Sequence, residues 1–278
     1  MKRDGASTGK LPFLSPGTGG RERGETIIFF FPIAVIAGFA VIKFGISFDW
    51  YRWIVREDGP VENITALVYG LAFLLALSAT VVFYRGQERV PGGLYALFSA
   101  GLFTMCMEEI SWGQRIFGVQ SPEFFRHYND QQEINLHNFF TRYYLHAFYI
   151  VVGFYGSFGS RLLSPRIRGR FSSLMRLIVF DRCLFFYFFP VFAFYLYFDH
   201  VSRLEISLFG APVLFKRYIH AKDQEPAELL LSLGFLLFTA INRYRQSAGP
   251  ARRRATVYSL PLQEPKNDHK RNKMPLLR

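Results

Sequence analysis

Two adjacent carboxylates, a hydroxyl, an indole and a guanidinium follow one another in Glu108-Glu109-Ile110-Ser111-Trp112-Gly113-Gln114-Arg115, and a little later Asn135-Leu136-His137-Asn138 adds an imidazole. An acid that is partly desolvated and paired with a cation has a shifted pKa, which general acid or base catalysis requires. On a helix Glu108, Ser111, Trp112 and Arg115 fall at offsets of three, four and seven, forming one stripe, whereas Glu109 points elsewhere. The candidate catalytic set is therefore Glu108, Glu109, Ser111, Arg115 and His137. Candidate substrate-binding residues are Glu62, Trp112, Gln114, Glu133, Asn135, Asn138, His200 and His220. The structural alternatives are an ion pair between helices with Trp112 as an interfacial anchor, and an imidazole that only bonds a neighbouring helix.

Other polar positions have simpler explanations. Asp58 or Gly59 caps a helix that begins at Pro60, with Glu62 and Asn63 lying deeper. Asp130 and Glu133 form a variant capping box, which leaves His137 one turn beyond Glu133 on the same face. Ser121 and Pro122 open a short amphipathic connector that carries Phe124 and Phe125 on the membrane surface. Pro226 starts a helix and Glu228 sits in its first turn, so capping accounts for that acid. Gly153, Gly156 and Ser160 read as close helix packing.

Metal binding lacks a pattern. His146 follows His137 by nine residues, which puts the two on opposite faces of a straight helix, and no H-x-x-x-H or H-E-x-x-H pair is present. A divalent site would have to gather His137, Asp199 or His200, His220 and one of Glu108 or Glu109 from different helices, a set that ligand spacing does not support. No metal ligand is assigned. The two cysteines, Cys106 and Cys183, fall at opposite depths and form no disulfide framework.

The elements that must position these residues are set by where charge is absent. Six apolar runs, near 26–47, 61–84, 92–112, 136–158, 177–198 and 226–243, match the length of about 20 residues that a helix needs to cross roughly 30 Å of hydrocarbon. Each must be helical, because an open strand leaves backbone groups unpaired in lipid. The expected fold is an all-α polytopic bundle of six spans over residues 25–244, with basic arms at 1–24 and 245–278 whose composition predicts disorder. A composition with 32 Phe and 50% hydrophobic residues fits that bundle better than a soluble core.

Lys and Arg concentrate in both termini, in the 159–176 loop and at Arg85 and Arg89, so these segments and both termini are expected in the cytoplasm. The net charge of +12 is then a topology signal, and nucleic-acid binding finds no motif to support it. The candidate residues all fall at the opposite, outward end. The expected location is a bacterial plasma (inner) membrane, with membrane lipids as partners.

The stretch Glu108 to Arg115, with Ser121-Pro122-Glu123-Phe124 and Glu133 to Asn138, resembles a segment shared by a group of uncharacterised bacterial polytopic membrane proteins. That resemblance implies an outward polar site and no particular activity. A looser likeness is to the alkaline ceramidase-type membrane hydrolases, which carry acid, Ser, Asp and several His at one membrane face. This chain departs from them in having six expected spans rather than seven and in lacking their paired histidines, so their zinc chemistry does not carry over. Three function classes remain: an enzyme acting on a lipid or lipid-linked substrate at the outer face, a transporter, and an assembly or structural factor. Against transport stand the missing internal repeat and the clustering of polar groups at one face.

Overall fold

The computed structural model describes residues 18–129, 134–135, 142–163, 172–201, 207–208, 211–212 and 221–247. In chain order the helices are α1 (Thr18–Val41), continued by a π-helical turn over Ile42–Ile46, then α2 (Phe48–Ile54), α3 (Pro60–Arg85), α4 (Arg89–Glu109), α5 (Gln114–Phe117), α6 (Glu123–Tyr128), α7 (Arg142–Leu162), α8 (Ser172–Ile178), α9 (Phe185–Leu196) and α10 (Gln224–Ser247). A two-residue antiparallel ladder pairs Ser207 with Pro212 and Leu208 with Ala211.

Five segments are long and apolar enough to cross a membrane: Arg23–Ile46, Pro60–Arg85, Arg89–Glu109, Leu174–His200 and Gln224–Ser247. These coincide with five of the six expected runs. The remaining run corresponds to α7, a 21-residue helix diluted by His146, Ser157, Ser160 and four tyrosines. It is not among the five. Large side chains such as Ile27, Phe30, Leu67, Leu74, Leu97, Phe103, Val151 and Phe154 are exposed along these helices. An apolar surface on that scale is what a lipid-facing band requires.

Lipid gives helices no hydrophobic incentive to associate, so small residues and shape complementarity must hold them together. Helices α3 and α4 form a hairpin in which Ala72, Ala76 and Ala79 are fully buried against Tyr95 and Leu102. Helices α7, α9 and α10 pack around Phe188, which is fully buried. A Cβ on Gly156 would overlap the Phe188 ring, one on Gly153 would come within 2.7 Å of the Phe192 backbone nitrogen, and one on Gly234 within 2.9 Å of Phe188. The expectation of close packing at Gly153 and Gly156 is met in this way. Ser160 is buried beside them.

The two ends of the bundle differ in charge. At one end the α3–α4 turn carries Arg85 and Arg89, Arg161 lies over the Phe185 ring, and Arg243 donates to Ser78 at 3.3 Å. At the other end the last turns of α1, α4 and α9 meet the first turns of α3, α7 and α10, where Glu62, Glu109, Asp199, Asp223, Glu225 and Glu228 are found.

Candidate functional site

The acid-bearing end is built in two layers. The outer layer centres on Asp223, just before α10. Lys43, in the π-helical turn that closes the first apolar run, reaches it at 2.6 Å, and the Tyr51 hydroxyl donates to its other oxygen. Lys43 is only 8% exposed, so its charge is sustained by this carboxylate and by the Tyr51 ring, whose centroid lies 5.1 Å from the ammonium. Burial, and then the hydrogen bond to Asp223, push the Tyr51 hydroxyl well above the usual tyrosine range. Tyr51, Val55 and Val61 pack with Leu229, which fixes the first turn of α3 beside the first turn of α10. Lys222 bridges the rim, 3.6 Å from Glu57 and 3.8 Å from Glu225.

The inner layer centres on Glu228. Its carboxylate accepts from the Tyr195 hydroxyl of α9, with Tyr149 of α7 as a second hydrogen-bonding neighbour. The rings of Tyr149 and Tyr195 are stacked with centroids 4.7 Å apart, and His146 sits 4.7 Å from Tyr195 on the same side. The His146 Nδ1 lies 2.7 Å from Asp199 Oδ1, with both side chains mostly buried. That contact fixes the ring orientation; the other ring nitrogen makes no hydrogen bond among the described residues. Glu109, at the end of α4, lies within electrostatic reach of Glu62, Glu108, Glu225 and Glu228. One turn earlier on α4, the Cys106 thiol donates to the Ala66 carbonyl at 3.3 Å.

Glu228 is thus no capping residue. Its carboxylate is buried and bonded to another helix, a correction to the reading from Pro226 and the first-turn rule. At α3 the cap is the second of the two expected residues. Gly59 is the N-cap, Asp58 has a positive φ of 59°, and the Asp58 N–H donates to Glu62 at 2.5 Å. Gly59 is required there, because a Cβ would come within 2.9 Å of the Ile54 carbonyl oxygen. Asn63 donates from its amide to the Gly59 carbonyl at 2.8 Å.

The Glu108–Arg115 segment does not continue α4 to residue 112 as the span length suggested. The helix ends at Glu109, and Ser111, Trp112 and Gly113 take φ values of 46°, 53° and 79°. Three successive left-handed residues, two of them not glycine, store strain of the order of 1–3 kcal/mol each for the non-glycine pair. Gly113 supplies the conformational freedom, and the fully buried Ser111 anchors the turn. The expected neighbours Glu108 and Trp112 still meet: the indole N–H donates to Glu108 at 2.6 Å. The turn replaces the helical stripe but preserves that contact.

Gln114 and Asn135 hold the loop together. Gln114 donates to Ser121 at 2.7 Å and accepts from the Ile134 N–H at 2.7 Å, while Asn129 donates to the Asn135 side-chain oxygen at 2.8 Å. Asn135 is 1% exposed. His200 is exposed, and its neighbour Asp199 is the residue that turns inward. Glu133, His137, Asn138 and His220 lie outside the described residues, as does the side chain of Arg115, so their expected convergence with Glu108 falls there too.

Sequence reasoning missed Lys43, Tyr51, Asp223, His146 with Asp199, and the Tyr195–Glu228 pair. Lys43 carried a signal, being a lone basic residue inside the first apolar run. His146 faces away from His137, which says nothing of a partner just beyond the end of α9. Among the described residues no group of three or more His, Cys, Asp or Glu side chains is placed to hold a metal ion. No family model matches the sequence, and no curated protein and no solved structure matches it.

Proposed function

We propose that this is an integral membrane protein of six spans with both termini in the cytoplasm of a bacterial cell, and that its acid-bearing outer end is an active site for a lipid or lipid-linked substrate. The carrying observation is the pairing of His146 with Asp199 at 2.7 Å beside the Tyr195–Glu228 hydrogen bond. An imidazole held by a carboxylate through one nitrogen offers the other for proton transfer, and a buried acid one aromatic ring away supplies a second exchangeable proton. Glu109 completes the acidic wall on the α4 side. In this reading the site lies at the end of the lipid-facing band, where a headgroup would meet it without leaving the membrane. The α7 span and the orientation of the bundle belong to this reading, supported by the arginines at the opposite end.

The test compares the lipid extract of cells making the wild type, His146→Gln, Asp199→Asn or no protein, by mass spectrometry, at matched levels of folded protein in the membrane. A lipid species that changes with the wild type and reverts in both variants is the expected result. Identical lipid profiles in all four strains would sink the enzyme reading.

A further inference from the structure

Beyond the outer site, one buried stripe of α10 is polar for most of its length, beside the apolar Leu230, Leu231 and Phe238. Glu228, Ser232, Thr239 and Asn242 recur at the three- and four-residue spacing of one helix face and are all buried, interrupted only by Phe235. From Glu228 to Asn242 the stripe climbs fourteen residue steps, about 21 Å of rise. Ser232 and Thr239 return their hydroxyl protons to carbonyls of α10 itself, so they line the face without needing a partner.

Two buried hydroxyls, on α3 and α4, have no hydrogen-bond partner among the described residues. Tyr69 of α3 is fully buried with its hydroxyl unbonded. Its ring centroid lies 6.3 Å from that of Phe235, and helical side chains lean toward their own N-terminus, so the hydroxyl is directed to the Glu228 end. Ser99 of α4 is 3% exposed and also unbonded. It sits beside Phe98, whose ring packs on Phe235 and Phe238, and belongs to the half nearer the arginine-bearing end. Orphaned buried hydroxyls call for internal water. Between the two halves, the Phe235 ring is packed by Tyr69, Phe98, Phe180 and Phe188, an apolar layer that would stop a water file from being continuous.

We infer that the α3–α4–α10 interior is a gated proton path, with Glu228 as the exchanging group on the acid-bearing side and the Phe235 layer as the barrier. A hydronium at the outer mouth protonates the Glu228 carboxylate and leaves a water. The carboxyl then gives that proton to water ordered by Tyr69, the file carries it past Phe235 when the ring swings aside, and it emerges as hydronium beyond Ser99 and Asn242. No covalent bond is left changed and no co-reactant is consumed; a membrane potential or pH gradient supplies the drive. Facing Glu228 are Tyr149, Tyr195, Glu62, Glu109, Glu225 and Lys222, which set its exchange. The path shares Glu228 with the proposed lipid site but uses neither His146 nor Asp199, so loss of lipid turnover in the His146 and Asp199 variants leaves its test untouched.

The test loads liposomes with a pH-reporting dye, imposes a potassium-diffusion potential, and compares full-length wild type, Glu228→Gln, Phe235→Ala and the double variant, each checked for folding by its melting transition. Proton uptake above that of protein-free vesicles for the wild type, several-fold faster for Phe235→Ala, and abolished by Glu228→Gln in both backgrounds is expected. Uptake indistinguishable from protein-free vesicles in wild type and Phe235→Ala would overturn the path. A Phe235→Ala leak that survives Glu228→Gln would overturn the role of Glu228. If Phe235→Ala fails to fold, the wild type against the near-isosteric Glu228→Gln decides alone.

Discussion

Lys43 and Asp223 meet at 2.6 Å across a separation of 180 positions, tying the end of the first apolar run to the start of the last helix. The pair is mostly buried, so its two charges depend on one another. Lys43→Met or Asp223→Asn alone strands a charge and is expected to lower stability by about 3–5 kcal/mol. The double variant should lose clearly less than the sum. Thermal melts in detergent of the four proteins measure this, and additive losses would show that the contact is incidental.

Tyr51 donates to the same Asp223, and its hydroxyl titrates above the usual range because burial, then that hydrogen bond, oppose its ionisation. A raised folded-state value means that the stabilisation is fully present below the unfolded tyrosine value of about 10 and is lost as pH rises beyond it toward the folded value. The stability difference between wild type and Tyr51→Phe should be flat from neutral pH to that point and shrink above it. A difference that stays constant through strongly alkaline pH would contradict the assignment.

Tyr195→Phe removes a donor from a buried carboxylate and is expected to destabilise by about 1–3 kcal/mol. If Glu228 and Tyr195 act as a pair, adding Glu228→Gln to Tyr195→Phe should change the melting transition by less than Glu228→Gln does in the wild type. Simple additivity would restore the capping explanation for Glu228.

Orientation is open to single-cysteine labelling in a background lacking Cys106 and Cys183. Glu123→Cys, exposed on α6, should react with a membrane-impermeant maleimide in intact cells, and Arg89→Cys, exposed at the start of α4, should react only after lysis. The reverse pattern would invert the bundle. Ser121 is a poorer reporter than its loop position suggests, being buried and bonded to Gln114.

What was legible in the sequence is what depends on neighbours along the chain. Apolar length located five helices long and apolar enough to cross a membrane, and their alternation placed the polar residues at one end. Glu228 was misread because its local setting, two residues after a proline, matches a helix start so well; the Tyr195 hydroxyl that captures it comes from 33 residues upstream. Likewise His146 gains meaning only from Asp199, 53 residues away. At Ser111 and Trp112 the spacing predicted a helical stripe, and only Gly113 hinted that the chain would turn left-handed instead. Contacts made across the bundle carry no periodicity, so the site's inner layer was out of reach of pattern reading.

The Phe188 ring seated against Gly156 and Gly234 has a consequence for genetics. A methyl group at Gly156 would have to push α7 off α9, and His146 rides on α7 ten residues away, about 15 Å along the helix axis. Such a lesion touches no polar atom, yet it would separate an imidazole from its carboxylate. In a screen for loss of activity, alleles at these glycines would therefore score beside those at His146 and Asp199, and a second-site change of Phe188 to a smaller side chain is where their suppressors should map.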